Sequence, residues 1–164
     1  MFNKENIQKV ADLLIRHKHT IAVAESVTGG FLQAALSSAE NASTFFQGGI
    51  TAYNITQKYT HLHINLAHAI ACNCVSEQTA REMAIGVGQS FSSNWGVSIT
   101  GYASPVPGHH MEELYAWYAI VFDHECITSG YLTAEIKDPQ NVQIEYTDAV
   151  VLKLLEQIRL KDNL

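Results

Sequence analysis

Basic residues are scarce in this chain: Lys and Arg number 10 among 164 residues, and the formal net charge is −6. That balance leaves no basic surface able to neutralise a run of phosphates, so no nucleic-acid partner is expected. Long apolar runs are missing too, since no window approaches the roughly 18 apolar residues that cross a bilayer. The start, Met1-Phe2-Asn3-Lys4-Glu5-Asn6, has no basic segment followed by an apolar one. No membrane partner is expected, and the location reads as cytoplasmic. Cysteine is limited to Cys72, Cys74 and Cys126, an odd number with a Cys-x-Cys pair too closely spaced for an ordinary disulfide, which argues for reduced thiols. Proline occurs only at Pro105, Pro107 and Pro139, and repeats, low-complexity tracts and Pro/Gly/Ser-rich linkers are absent. Nothing marks a domain boundary. With 47% of residues in the hydrophobic set, residues 1–164 suffice for one core and are expected to form a single domain.

What is present reads as alternating helices and strands. Ile7, Val10, Ala11, Leu14 and Ile15 fall at helical spacing, with Arg16-His17-Lys18-His19 placing cations at the last turn. Residues 21–24 form a short buried strand, and a helix follows over 31–36 with Gly29 and Gly30 at its start. A polar turn over 37–44 leads to an extended stretch from Phe45 to Tyr53. Asn54 is placed to cap a short helix to about His61, and Ser76 to cap a long one to about Ser93. Gly86 and Gly88 lie inside that long helix, where they mark a close crossing. A strand over 95–100 ends in a second glycine turn, Gly101 to Pro105. Residues 114–122 and 126–133 read as a hairpin around Asp123-His124-Glu125, and Asp138 to Leu160 as a closing helix with Pro139 in its first turn. This order implies an α/β fold with a sheet covered by helices on both faces.

Chemistry is concentrated in Ile21-Ala22-Val23-Ala24-Glu25-Ser26-Val27-Thr28-Gly29-Gly30, where a strand ends in a serine and a helix opens through two glycines. A hydroxyl displayed beside unpaired helix N–H groups suits a nucleophile, an oxyanion site or a phosphate cradle. A sheet that brings its strand ends together would gather Ser26 and Thr28, Tyr53 and Lys58, and Thr100 with its loop in one crevice. Serine needs a base, and no histidine sits beside a strand end with an acid to orient it. Lys58, at the start of the helix after Tyr53, is the better candidate. To act near pH 7 its pKa must fall from near 10.4, about 4 kcal/mol of bias against the charged form, and both burial and the positive end of a helix push that way. His61-x-His63, His109-His110 and Cys72-x-Cys74 have no further ligand to complete a metal set, so neither metal nor cofactor is expected.

The segments Glu25 to Gly30, Gly48-Gly49-Ile50-Thr51-Ala52-Tyr53-Asn54 with Lys58, Val75-Ser76-Glu77 and Thr100-Gly101 resemble the CinA carboxy-terminal domain family. The resemblance implies a three-layer α/β/α sandwich with a mixed, mostly parallel sheet. It also implies a nicotinamide-nucleotide amidase activity that converts nicotinamide mononucleotide to nicotinate mononucleotide and ammonia. Ser26 would be the nucleophile, Lys58 its base and Tyr53 a support for proton transfer or orientation, with N–H groups at the start of the following helix holding the oxyanion. Substrate contacts are expected from Glu25, Thr28, Gly29, Gly30, Asn54, Thr100 and Gly101. The partner expected is a small-molecule substrate, a pyridine nucleotide or related amide, in a homo-oligomer. Some relatives carry an additional amino-terminal domain, and this chain is expected to be the stand-alone form. Departures from the family pattern fall in Gly101 to Gly108, where Pro107 has no N–H to offer, in Leu114-Tyr115-Ala116-Trp117, and near Asp138 to Val142, where a frequent arginine is missing. They leave a second expectation open, a degenerate member that serves as a ligand-binding or assembly module.

Overall fold

The computed structural model describes residues 1–108, 113–135 and 138–162. Its elements run α1 (Lys4–His17), β1 (Ile21–Glu25), α2 (Phe31–Ser37), α3 (Ala42–Phe45), β2 (Phe46–Thr51), α4 (Ile55–Leu62), α5 (Leu66–Ala71), α6 (Glu77–Ser90), β3 (Trp95–Gly101), β4 (Leu114–Phe122), β5 (Glu125–Ala134) and α7 (Pro139–Asp162). The caps follow from side-chain chemistry. Asn3, Asn54, Asn65 and Ser76 each accept the N–H three residues on, at the starts of α1, α4, α5 and α6. Asp138 accepts the Asn141 N–H at 3.0 Å, ahead of Pro139.

One five-stranded sheet has the order β2-β1-β3-β4-β5. β1 pairs in parallel with β2 and β3, while β4 is antiparallel to both β3 and β5, so every strand but β4 runs the same way. Alternation along β1 divides the core. Ile21 and Val23 join the cluster built with α1, α2 and α7, whereas Ala22 and Ala24 face the cluster built with α4, α5 and α6. The result is a three-layer α/β/α sandwich with a mixed sheet.

The small side chains on the α6 side allow backbone to approach backbone. A Cβ added at Gly86 would lie 2.2 Å from the Leu62 carbonyl oxygen, so α6 crosses the end of α4 at a spacing only glycine permits. Two helices escape the sequence reading. The polar turn over 37–44 closes with α3, which buries Phe45, and α5 follows Asn65. Both are too short for helical periodicity to show. β2 ends at Thr51, two residues before the expected limit, because Ala52 and Tyr53 turn away to carry the chain into α4. The hairpin turn is two residues, Asp123 and His124, both at positive φ. Among the described residues, no helix is long and apolar enough to cross a membrane.

In an isolated helix Gly86→Ala would gain about 1 kcal/mol. Here it is expected to lose about 1–3 kcal/mol by overpacking against Leu62, seen as a lower urea midpoint with unchanged slope.

Candidate active site

Parallel pairing ends β1 and β2 on one line, Glu25 beside Thr51, with Ile99 of β3 on its other side and β3 running on to Gly101. The residues just beyond remain attached to that line. Ser26 N–H donates to the Ile99 carbonyl at 3.1 Å, and Ala52 N–H donates to the Glu25 carbonyl at 2.9 Å. Ser26 is therefore held at the carboxyl edge of the sheet, where open α/β sheets receive their ligands.

Past Ser26 the chain turns at once, closed by the Gly29 N–H donating to the Ser26 carbonyl at 3.1 Å. Gly29 at φ 61 and Gly30 at φ 109 supply the left-handed backbone this turn needs. Glu25 is fully buried beneath it. One carboxylate oxygen accepts from Thr28 Oγ1 at 2.5 Å, Gly30 N–H at 3.2 Å and Leu32 N–H at 2.9 Å, and the other accepts from Gln33 N–H at 2.8 Å. The carboxylate thus closes the N-terminal end of α2, whose first donors have no partner inside the helix. Ser26, Gly29 and Phe31 N–H groups have backbone acceptors. Between Ser26 and Gln33, only the Val27 and Thr28 N–H groups are left without an acceptor among the described residues.

Lys58 sits in the first turn of α4, and its side chain folds back past the helix start. Its Nζ lies 2.8 Å from Ser26 Oγ, 2.8 Å from the Ala52 carbonyl and 3.2 Å from the Tyr53 carbonyl. Lys58 is 2% exposed and Ser26 7%. Burial lowers the Lys58 pKa from 10.5 to about 8, against the opposing pull of the nearby Cys74 thiol. Burial in turn raises the pKa of Cys74.

These groups open onto a cavity of about 640 Å³, within the usual size of a small-molecule site. Its walls come from the turn after β1, the α4 start, the α5–α6 connection, the 101–106 loop and α7. Across the mouth, Asn73 Nδ2 donates to Tyr102 Oη at 3.1 Å. From α7, Gln143 Nε2 donates to the Val27 carbonyl at 2.8 Å, and Tyr146 Oη donates to the Tyr102 carbonyl at 3.1 Å.

Residues 3–158 match the family model of the CinA C-terminal domain. The chain belongs to that family. A CinA-like protein of Picosynechococcus is 45% identical over 96 residues, which is 58% of this chain and 23% of that protein. A protein of Mycoplasma pneumoniae, the Protein MG115 homolog, is 41% identical over 96 residues, 58% of this chain and 61% of its own length. The chain therefore spans less than two thirds of either curated relative. Among solved structures, a CinA superfamily protein of Klebsiella pneumoniae superposes with a TM-score of 0.88 at 23% identity, covering 97% of this chain and 99% of that one. The competence or damage-inducible protein of Enterobacter asburiae gives 0.84 at 25% identity, over 96% and 99%.

In this CinA-family chain, Ser26, Tyr53, Asn54, Lys58, Thr100 and Gly101 all line the cavity. Tyr53 meets Lys58 through its carbonyl, and the residue is 72% exposed at the mouth. Asn54 spends its side-chain oxygen on the α4 cap, and Thr100 donates to the Cys74 carbonyl at 2.9 Å, bracing the wall. Four residues expected to contact substrate lie off the cavity wall. Glu25 and Thr28 are buried against each other, Gly29 packs toward Gln143 and Gly30 toward Thr51, so none of the four borders the cavity. The N–H groups at the start of α2, expected to face a ligand, are taken by Glu25, and of the two in the turn without an acceptor only that of Val27 belongs to a residue lining the cavity.

Asn73, Tyr102 and Gln143 were not foreseen as wall residues. Asn73 carried a faint signal, since asparagine suits the left-handed φ of 51 it adopts. Gln143 carried none, being 116 positions from its partner. The ring of His61 pairs with Gln57, and His109-His110 lie outside the described residues.

Glu25→Ala would strand three backbone donors, one of them, the Leu32 N–H, buried. It is expected to cost about 2–4 kcal/mol, with amide exchange at Leu32 and Gln33 faster than in the parent through local opening. The depressed Lys58 pKa disfavours the folded state by about 3 kcal/mol at every pH below about 8, and that penalty fades as pH rises toward 10.5. After the loss of its hydrogen bonds is subtracted, Lys58→Met is expected to stabilise the protein by about 1–2 kcal/mol at pH 7. Calorimetry at pH 7 and pH 10 should show the gain at the first and its loss at the second.

Proposed function

We propose that this chain is a serine amidohydrolase resembling nicotinamide mononucleotide deamidase, which turns nicotinamide mononucleotide and water into nicotinate mononucleotide and ammonia. The observation that carries this reading is the set of three partners around the Lys58 amine. Two of them are carbonyl oxygens, which only accept. A neutral amine has two N–H donors and one lone pair, so with both donors on Ala52 and Tyr53 the lone pair is left for the Ser26 hydroxyl. A pKa near 8 makes that neutral form accessible close to neutral pH.

In this reaction the Lys58 lone pair takes the Ser26 proton as Oγ bonds to the carboxamide carbon. Charge moves to the former carbonyl oxygen, which the Val27 N–H group at the cavity wall receives. The Lys58 ammonium returns its proton to the departing nitrogen, and ammonia leaves an acyl ester on Ser26. Water then attacks that ester with Lys58 again as base, and the acid product departs with Ser26 restored. Tyr53 contributes through its carbonyl, which orients the amine. A second reading, a binding or assembly module without turnover, draws support from the 101–106 wall, whose Pro105 and neighbouring Pro107 offer no N–H to a ligand.

Purified protein supplied with nicotinamide mononucleotide is expected to release ammonia, and Ser26→Ala and Lys58→Ala to lower the rate by at least about 10³-fold. Because the neutral amine is the active form, kcat/KM should rise about tenfold per pH unit below about 8 and level off above it. Absence of ammonia from the parent protein favours the binding module. Unchanged release from both variants removes Ser26 and Lys58 from the chemistry.

A further inference from the structure

We propose that the carboxamide preferred by this cavity carries no phosphate: a nucleoside-type amide is the better substrate, and a phosphate on its ribose is repelled rather than held. The inference rests on the amidase reading above and narrows its substrate class. Proteins hold phosphate with open N–H groups at helix starts, with lysine and arginine, and with loops of exposed backbone N–H. All three devices occur around this cavity, and the structure turns each of them to another use.

Two helix starts beside the cavity already hold a carboxylate. After the nucleophile turn, Glu25 takes the N–H groups of Gly30, Leu32 and Gln33. At α7, whose Pro139 and Gln143 line the cavity, Pro139 has no N–H to give and Asp138 takes that of Asn141 at 3.0 Å. The positive ends of both helices are thus matched by acids of the chain itself. Among the described residues lining the cavity, Lys58 alone carries an ionisable cation. Its amine is spent on Ser26 Oγ and two carbonyls, and it works in its neutral form. The loop after Gly101 has Pro105 between its lining residues Ser104 and Val106, which removes an N–H from its middle. The chain as a whole is acidic, with a formal net charge of −6. The cavity offers instead the neutral side chains of Asn73, Tyr102, Ser104 and Gln143, with exposed Tyr53 and Ile70 at its rim. Amides and hydroxyls suit the hydroxyls of a ribose, and an apolar rim suits a flat ring. A pyridinium ring is a cation, so the surroundings that repel a phosphate favour the ring.

The test supplies the whole chain with nicotinamide riboside and with nicotinamide mononucleotide, which differ only in the phosphate, and reads ammonia release. The kcat/KM of the riboside is expected to exceed that of the mononucleotide about three- to thirtyfold, chiefly through KM. That advantage should shrink as ionic strength rises from about 0.02 to about 0.5 M, because salt screens the repulsion. Asp138→Asn keeps an acceptor for the Asn141 N–H and removes the charge, and it is expected to narrow the gap by about two- to fivefold. A mononucleotide value equal to or above that of the riboside overturns the proposal. So does a riboside advantage that salt leaves unchanged, which would make the discrimination steric. Ammonia from neither compound overturns the amidase reading instead. Calorimetry then ranks the two dissociation constants on the same protein, and tighter binding of the mononucleotide overturns the phosphate inference independently of turnover.

Discussion

The amine of Lys58 lies between two carbonyl oxygens and one hydroxyl, almost out of contact with water, and the carboxyl edge of the sheet is arranged around that contact. A lysine so placed resists its charge, and burial is what moves it toward neutrality. The carbonyls of Ala52 and Tyr53 can reach it because β2 stops at Thr51 and the chain doubles back into α4. Ser26 can reach it because β1 lies beside β2 in register, so the residues after both strands emerge together. Parallel pairing with short strands is thus the physical source of the site's geometry.

A second buried charge stabilises the opposite side of the same turn. Glu25 gathers the hydroxyl of Thr28 and the N–H groups of Gly30, Leu32 and Gln33, which α2 cannot satisfy by itself. Its saturation has a chemical consequence, because it removes those donors from any ligand and leaves the Val27 and Thr28 N–H groups as the turn's spare ones. The nucleophile turn is therefore held from below by Glu25 and from the side by α7. Lys58 approaches Ser26 from α4.

Much of the fold was legible in the chain. The apolar spacing of α1, the Ser76 cap of α6, the all-apolar start of β1, the hairpin and Pro139 at the head of α7 each carry a local signal strong enough to survive packing. α3 and α5 carry no such signal, since four and six residues are fewer than two helical turns. The site divides in the same way. Ser26, Tyr53 and Lys58 were named from their motif and do meet at one cavity, whereas Glu25, Thr28, Gly29 and Gly30, read from the same motif, turn out to build the turn and not to border the cavity.

By itself the sequence determined the helical and extended segments, the position of a hydroxyl between a strand and a glycine turn, and a lysine near the start of a later helix. These depend on local propensity, capping and periodicity, which act over a few residues. Only the tertiary structure decided which groups share a desolvated space. The 2.8 Å contact between Lys58 and Ser26, the downward turn of Glu25 and the hold of Gln143 on Val27 each join elements through sheet register and helix packing. Such contacts bridge from a few residues to more than a hundred, and hydrogen bonding and burial set them once the core has closed. No local pattern encodes them.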